Sequence, residues 1–520
     1  MSAENFRARM SHFFPFEPTR TQAEVIDTLA SFLHDEDYDA DHAIFVLRGY
    51  AGTGKSSLIG ALARTMLAEG RPLVLLAPTG RAAKVLQSYC GIPAHTIHRV
   101  IYRERMGTNG ESNFEMGYNR GRHDTLYIVD EASMINNTPD GISPFGSGCL
   151  LDDLMDFCFS VDGAKVLFIG DDAQLPPVGT PLSPAMDTRY LSRYTGRIFT
   201  GTLTDIVRQD EASEIVTLSH ILRARIIDME GGLSEWETPL LPMPSGEEVK
   251  IVSGYDLPDL VESSYAQVGK EETILLTRSN KDAEEFNRQI RYRSLGYEDD
   301  ITPGELLMVC RNNYFHTPTD PEGHPKSLFI ANGELLHVER SRRTKELHGF
   351  TFREAELTDT EGGIIHANII LESLYSGAAA LTPEQRQRLF DSVVLDYPWA
   401  TNKKQLYGAL RKDPYLNALQ IKYAYAMTCH KAQGGQWHDV YIHFGYLTPE
   451  MIDVSFCRWL YTAMTRASSR LYFISPISSS GNGQMITDHT AKIRRDSRPR
   501  VDYRRLQSHP VDYHRLKSNE

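Results

Sequence analysis

The chain has 520 residues, of which 41% are hydrophobic, and its formal net charge at pH 7 is −13. Since one hydrophobic core rarely extends beyond about 250–300 residues, this length predicts roughly two to four domains. No apolar run is long enough to span a membrane, no signal-peptide pattern is visible, and the six cysteines form no C-x-x-C pair. We therefore expect a cytoplasmic protein with no membrane association and no cysteine zinc site. The acidic charge does not exclude nucleic acid, because a basic channel can lie within an acidic surface.

A phosphate-binding loop follows the first buried strand, AIFVLR at 43–48. GYAGTGKSS, 49–57, fits G-x-x-x-x-G-K-[ST] at every fixed position and leads into a helical segment. Backbone N–H groups of such a loop surround phosphate oxygens, its lysine reaches the β- and γ-phosphates, and its hydroxyl holds Mg²⁺. The sequence therefore predicts ATP and Mg²⁺ as cofactors. The loop residues predicted to bind them are Gly49, Gly52, Thr53, Gly54, Lys55, Ser56 and Ser57.

Two further apolar strands end in polar groups. LYIV, 126–129, precedes Asp130 and Glu131, which we assign to the Mg²⁺ shell and to the general base. KVLFIG, 165–170, precedes two aspartates and then Gln174, which can sense the γ-phosphate or orient water. The alternatives are a solvated acidic pair and a polar turn closed by prolines. Polar groups at the ends of three strands predict a parallel α/β sheet with its site at that edge.

Other segments have a β pattern. Residues 103–123 alternate apolar and polar positions around a Gly/Asn-rich centre, which predicts a β-hairpin. Residues 301–375 contain alternating runs divided by polar turns, which is typical of a small antiparallel barrel. Two helices are predicted at 381–394 and 402–413. From about residue 477 the chain becomes basic and Ser/Gly-rich, and we interpret this part as a disordered tail, with an auxiliary nucleic-acid tether as the alternative.

The ordered motifs together resemble those of superfamily 1 (1B) DNA helicases, and within them the RecD-like and Dda-like branch. The resemblance covers about residues 15–475, and Ala432 is a departure, because many relatives have serine there. The motifs are GYAGTGKSS (49–57), LLAPTGRAAKVL (75–86), TIHRV (96–100), VDEASM (129–134), GDDAQLPPV (170–178), LTDIVRQ (203–209), LLTRSN (275–280), YAMTCHKAQGGQWHDV (425–440) and LYTAMTRA (460–467).

The resemblance implies an α/β fold with two RecA-like P-loop motor domains, a small inserted β-hairpin domain and an inserted SH3-like β-barrel. The implied division is a first motor domain at 1–200 with a pin-like element at about 101–123, a second motor domain at 201–299 and 420–476, the barrel with connecting helices at 300–419, and the tail at 477–520.

The resemblance also implies roles for single residues. Gln22 reads adenine, Arg208 and Arg466 contact the γ-phosphate, and Gln433 with Gly434 lies between nucleotide and nucleic acid. The implied nucleic-acid contacts are Thr79, Arg81, Thr96, His98, Arg278, Thr428, His430 and Lys431, with Phe114 as a strand-separating wedge. Core packing is the alternative for both Phe114 and the histidines.

The implied activity is an ATP-dependent DNA helicase that moves 5′→3′ on single-stranded DNA and acts on duplex forks. We expect a monomer. A translocase without unwinding, an RNA-directed helicase and a nucleotide-switched binding protein remain alternatives. A helicase–nuclease is disfavoured, because no carboxylate cluster is left over for a second metal site.

Overall fold

The computed structural model describes residues 3–34, 42–106, 112–137, 146–205, 213–232, 241, 244, 246–324, 326, 329–360, 362–448 and 451–475. Three predictions fall outside the described residues. These are the role of Arg208, the disorder of the tail at 477–520 and the conformation of the hairpin tip at 107–111.

The first half of the chain forms a six-stranded sheet in which every neighbouring pair is parallel. The strands of this half of the chain are β1 Ala43–Gly49, β2 Leu73–Ala77, β3 Ala94–Thr96, β4 Tyr102–Met106, β5 Ser112–Met116, β6 Leu126–Val129, β7 Lys165–Gly170 and β8 Ile198–Leu203. The sheet has the order β3-β2-β6-β7-β1-β8, and β4 and β5 are not part of it. Its helices are α1 Ala3–Phe13, α2 Arg20–His34, α3 Lys55–Ala68, α4 Gly80–Cys90, α5 Ile97–Ile101, α6 Leu150–Phe159 and α7 Thr188–Leu191.

The central strands β1, β6 and β7 are buried almost throughout, because two separate apolar clusters cover the two faces of the sheet. Continuous apolar runs of this kind are expected where helices pack on both faces. Strands β4 and β5 stand apart as an antiparallel pair in the 101–123 segment.

The remaining strands are β9 Val249–Ser253, β10 Thr273–Thr277, β11 Leu306–Val309, β12 Leu335–Leu347, β13 Phe350–Asp359, β14 Ile364–Ile370, β15 Ile421–Tyr423, β16 Ala426–Thr428, β17 Trp437–His443 and β18 Ala467–Ser475. The remaining helices are α8 Glu214–Glu230, α9 Leu257–Val268, α10 Asn280–Gln289, α11 Glu372–Tyr375, α12 Pro383–Val394, α13 Lys403–Leu410, α14 Cys429–Ala432 and α15 Val454–Met464.

A second parallel sheet has the order β16-β10-β17-β18-β9. It combines strands from before and after the inserted segment, as expected for a domain that the chain leaves and re-enters. The predicted α/β class with parallel sheets is therefore confirmed. The exact domain limits remain predictions, and β8 extends to Leu203, past the expected end of the first domain at 200.

Between β10 and β16 along the chain, five strands form an antiparallel sheet with the order β14-β13-β12-β11-β15. Its last strand, β15, falls within the 420–476 range expected for the second motor domain. Helix α12 begins with Thr382 in a capping box and Pro383 at its first position, as the sequence predicts. Closure of this sheet into an SH3-like barrel stays a prediction. None of the described helices is long and apolar enough to cross a bilayer.

Candidate nucleotide and nucleic-acid site

The phosphate loop joins β1 to α3 in a strained turn that requires glycine. Gly52 and Gly54 have φ of 74° and 80°, and a Cβ atom on Gly49 would lie 2.8 Å from Cγ of Lys55. The Lys55 ammonium donates to the carbonyls of Gly49 (2.7 Å) and Tyr50 (3.0 Å). No acidic residue occurs in the first turn of α3, so the positive end of the helix dipole is available to an anion.

Gln22 is buried beside this loop. Its Nε2 donates to the Thr53 carbonyl (2.9 Å), and its Oε1 accepts from the Thr19 backbone N–H (2.9 Å). The side chain thus ties α2 to the phosphate loop. Each end of the amide makes one of these bonds, which leaves a second N–H and a second oxygen lone pair, and reading adenine stays a prediction.

Asp130 and Glu131 stand where the sequence predicts them, at the end of β6. Asp130 accepts from the Glu131 backbone N–H (2.9 Å) and from the Tyr89 hydroxyl. Burial raises the pKa of Asp130, and the hydrogen bond from Tyr89 acts against that rise. Carboxylate and hydroxyl oxygens are the ligands that Mg²⁺ prefers, so Asp130 with Ser56 is a donor set that fits this ion.

Glu131 has a left-handed backbone, with φ of 51°. Such a conformation is costly for a non-glycine residue and is concentrated at functional sites. Burial raises the pKa of Glu131, whereas the positive charge of Arg466 lowers it. A carboxylate with a raised pKa is a better proton acceptor, which is what a general base requires.

Gln174 lies in the turn after β7 and is 6% exposed. Its Oε1 is buried and has no hydrogen-bond partner among the described residues. The neighbouring carboxylates are engaged, since Asp171 accepts from the Ala173 N–H (3.0 Å) and Asp172 pairs with Arg48 (2.8 Å). An unpaired amide oxygen at this edge of the sheet can accept a hydrogen bond from an attacking water.

Arg466, just after α15, enters the same site from the second parallel sheet. It is 4% exposed, its Nη1 lies 3.8 Å from Oε1 of Glu131, and it donates to the carbonyls of Thr462 (3.0 Å) and Gly435 (3.2 Å). Gln433 also crosses between the sheets, donating to the Leu175 carbonyl (2.8 Å). Both predicted residues therefore lie at the contact between the two parallel-sheet units.

Two contacts at the phosphate loop were not predicted from the sequence. The Tyr461 hydroxyl accepts from the Ala51 N–H (3.1 Å) and donates to Asp171 (2.7 Å). His220 Nε2 lies 3.1 Å from the Ala51 carbonyl. Burial lowers the pKa of His220 to about 4, so the ring is neutral and Nε2 must carry the proton that this carbonyl accepts. Tyr461 lies within LYTAMTRA, whereas nothing in the helical spacing around His220 distinguishes it from a core residue.

Helix α4 carries two of the predicted nucleic-acid contacts at its start. Thr79 caps the helix, accepting from the Ala82 N–H (3.2 Å). The guanidinium of Arg81 lies 3.6 Å above the Trp437 ring, and burial lowers its pKa to about 10. A Cβ on Gly434 would lie 2.8 Å from Cβ of Ala82. Arg81 is therefore part of the contact between the two units, and because stacking uses the face of the guanidinium, a phosphate contact through its in-plane N–H groups stays a prediction.

The remaining predicted nucleic-acid residues lie at or after strand ends in both units: the ends of β10 and β16 in the second sheet and the end of β3 in the first. Thr277 pairs with Thr428 in register, so Arg278, which follows β10, and the α14 residues His430 and Lys431 start from the same edge of the second sheet. Arg278 and His430 are exposed. In the first unit, Thr96 caps α5 and burial lowers the pKa of His98 to about 4. These contacts stay predictions.

The structure buries Phe114, which disfavours the predicted wedge role and favours the alternative of core packing. Phe114 lies within β5, is 7% exposed, and its ring centroid is 4.4 Å from that of Tyr314, which in turn packs on Phe329. A wedge needs an exposed ring at a fork, whereas this ring joins the hairpin to the segment before β12. Core packing, the alternative for Phe114, is the arrangement that the structure has.

Comparison with known protein families gives two matches. Residues 37–228 match the family described as an AAA domain, and residues 423–474 match the UvrD-like helicase C-terminal domain. The first range contains the phosphate loop, Glu131 and Gln174, and the second contains Gln433 and Arg466.

Curated relatives include helicases. The chain is 26% identical over 457 residues to the ATP-dependent RecD2 DNA helicase of Deinococcus radiodurans, covering 87% of this chain and 48% of that protein. It is 24% identical over 342 residues to the ATP-dependent DNA helicase Dda of Enterobacteria phage T4, covering 63% and 68%. The chain thus spans about half the length of RecD2. Among solved structures, Bacteroides Pif1 bound to single-stranded DNA aligns at 16% identity with a TM-score of 0.41, covering 91% of this chain and 95% of that one.

Proposed function

We propose that this chain, which belongs to the superfamily 1B helicases of the RecD and Dda type, is an ATP-dependent DNA helicase that moves along single-stranded DNA and unwinds duplexes. The observation that carries the proposal is the composite site. Glu131 follows a strand of the first parallel sheet, Arg466 comes from the second unit, and their side chains lie 3.8 Å apart. A nucleotide bound there would touch both units.

Each residue has a chemical task in this proposal. Lys55 neutralises the phosphates, and Ser56 with Asp130 holds Mg²⁺. Glu131 accepts a proton from the attacking water, which Gln174 orients. Arg466 stabilises charge on the transferred phosphoryl group, a contribution that can reach about 10³–10⁵ in rate for an arginine finger. We propose the same γ-phosphate role for Arg208.

The contacts between the two parallel-sheet units suggest how ATP hydrolysis is coupled to movement along DNA. Gly434 packs on Ala82 at the start of α4, and Gln433 bonds to Leu175 after β7. The predicted DNA-binding residues Thr79, Arg81 and Lys431 are neighbours of these contacts in sequence. A change in the cleft that alters Gly434 or Gln433 therefore displaces groups that hold the strand, which is how hydrolysis can become movement. The 5′→3′ direction rests on resemblance to the RecD branch.

The test is ATP hydrolysis with and without nucleic acid. We expect single-stranded DNA to stimulate the ATPase and single-stranded RNA of the same length to stimulate it less. Arg466→Gln is expected to abolish the stimulation, whereas Arg293→Gln, an exposed arginine outside the cleft, serves as the control. An ATPase that ignores DNA, or that RNA stimulates more, would contradict the proposal.

A further inference from the structure

Arg223 on α8 is a buried cation without a counter-ion at the edge of the nucleotide cleft. It is 3% exposed, and its Nε and Nη1 atoms have no hydrogen-bond partner among the described residues. Within that same part of the chain no carboxylate lies within 4.0 Å of it. Burying a charge is costly unless it is paired, so a site of this kind needs a compensating anion.

The surroundings of Arg223 place it at the phosphate loop. The guanidinium lies over the ring of Tyr50, the residue that follows the first loop glycine. One turn earlier on α8, His220 bonds to the carbonyl of Ala51 (3.1 Å). Helix α8 thus presents the Arg223 cation and the neutral His220 ring to consecutive residues of the phosphate loop, Tyr50 and Ala51.

Asp171 and Asp172, the carboxylates near Tyr50, each have another partner, although Oδ1 of Asp172 has no hydrogen-bond partner among the described residues. Asp171 accepts from Tyr461 (2.7 Å) and from the Ala173 N–H (3.0 Å), and Asp172 pairs with Arg48 (2.8 Å). Because these anions belong to the turn that also positions Gln174, Arg223 faces the side of the cleft where we assign the terminal phosphate. Since no carboxylate of the described residues forms a salt bridge with Arg223, a ligand anion can complete this site.

We propose that Arg223 binds oxygens of the terminal phosphoryl group of a nucleoside triphosphate, as a third arginine of the site beside Arg208 and Arg466. This rests on the proposed ATP site and not on DNA unwinding. A planar guanidinium with unpaired N–H donors is suited to phosphate. In this arrangement α8 contacts the terminal phosphate through Arg223. The same helix packs on α15, the helix that precedes Arg466.

Thermal unfolding with and without nucleotide tests the proposal, using ATPγS and ADP as probes. For Arg223→Gln we expect the Tm of the nucleotide-free protein to stay the same or rise, because an uncompensated buried charge has been removed. We expect the increase in Tm caused by ATPγS to shrink, with affinity at least about tenfold weaker, as for the loss of a charge-assisted hydrogen bond. The increase caused by ADP should be retained.

The matched control is Arg225→Gln, two residues along the same helix, whose titratable neighbours include Asp228 and Cys457. It should leave both nucleotide effects unchanged. A lower Tm of nucleotide-free Arg223→Gln, or its failure to fold, would show a structural role and overturn the proposal. An unchanged ATPγS effect, or equal losses for ATPγS and ADP, would also overturn it. Absence of DNA-stimulated hydrolysis in a protein that still shows the ATPγS effect would instead count against the helicase activity alone.

Discussion

At the scale of single residues, Glu131 combines three properties that a general base needs. It is positioned by an unusual left-handed backbone, burial raises its pKa, and a cation 3.8 Å away favours its charged form. The raised pKa makes the carboxylate a stronger proton acceptor, and the positive charge of Arg466 acts against that rise.

The first prediction follows from the proton acceptor. Glu131→Gln should bind a fluorescent ATP analogue with wild-type affinity, while its DNA-stimulated ATPase falls by about 10²–10⁴, because an amide cannot accept the proton. Glu24→Gln changes an exposed glutamate on α2 and is the control. Hydrolysis by Glu131→Gln at the wild-type rate would assign the base elsewhere.

A second prediction uses pH. Hydrolysis requires the Glu131 carboxylate, so activity falls as pH decreases through its raised pKa. Arg466 lowers that pKa, and Arg466→Gln should therefore raise it further and move the acid limb of the rate profile to higher pH. Single-turnover hydrolysis measured across pH gives the profile, with Arg293→Gln as control. If the acid limb lies at the same pH in Arg466→Gln and Arg293→Gln, Arg466 does not set the pKa of the group whose protonation limits hydrolysis.

Local pattern explains which residues of the site could be predicted. Lys55, Asp130, Glu131 and Gln174 follow recognisable strands, and a strand end fixes the position of the next few residues. Arg223, Tyr89 and His220 lie inside helices, where their contacts depend on which helix packs on which loop. A signal did exist for Arg223, since it lies next to Leu222 in a helix whose other buried positions are mostly apolar. That signal indicates that the Arg223 side chain is buried, but it does not indicate which group the guanidinium contacts.

At the scale of elements, helix α4 links the predicted DNA contacts to the proposed Mg²⁺ ligand Asp130. Its first turn holds Thr79 and Arg81, and near its end the Tyr89 hydroxyl donates to Asp130. The helix is held closely against α3, because a Cβ on Gly60 would lie 2.8 Å from the Tyr89 carbonyl. A short rigid helix with one end at each site can transmit a displacement between them.

Tyr89→Phe tests this link. Loss of the hydroxyl removes a hydrogen bond that lowers the pKa of Asp130, so the carboxylate should hold Mg²⁺ less well. We expect the Mg²⁺ concentration for half-maximal ATPase to rise at least about tenfold, in keeping with the roughly 1.5–3 kcal/mol of one hydrogen bond to a charged group. Tyr194→Phe is the matched control, since it removes a tyrosine–aspartate bond to Asp152 outside the cleft. Equal Mg²⁺ dependence of both variants would contradict the link.

The β4–β5 hairpin supports a prediction about stability. Because Phe114 is buried against Tyr314, Phe114→Ala should lower the Tm, at a cost of about 3 kcal/mol or more for a core phenylalanine. Tyr118→Ala, at a side chain that is 88% exposed, should change the Tm little. If Phe114→Ala slowed unwinding and left the Tm unchanged, the wedge assignment would be restored.

At the scale of the whole molecule, the sequence predicts the two parallel sheets, but it does not predict which residues of the two sheets contact each other. Each strand lies within its own apolar run, so its existence can be inferred locally. The stacking of Arg81 on Trp437, and the bonds from Tyr461 to Ala51 and Asp171, join residues more than 280 positions apart. Their geometry depends on how the two units meet, which no local pattern encodes.

The central claim is that the composite cleft drives unwinding in one direction. The most direct measurement is strand separation of the same duplex carrying a 5′ tail, a 3′ tail or no tail, with ATP and Mg²⁺, for the wild type and for Glu131→Gln. We expect the wild type to unwind the 5′-tailed duplex and leave the other two intact, and Glu131→Gln to unwind none. Unwinding from 3′ tails alone would contradict the assigned direction, and DNA-stimulated hydrolysis without separation of any duplex would contradict the helicase itself.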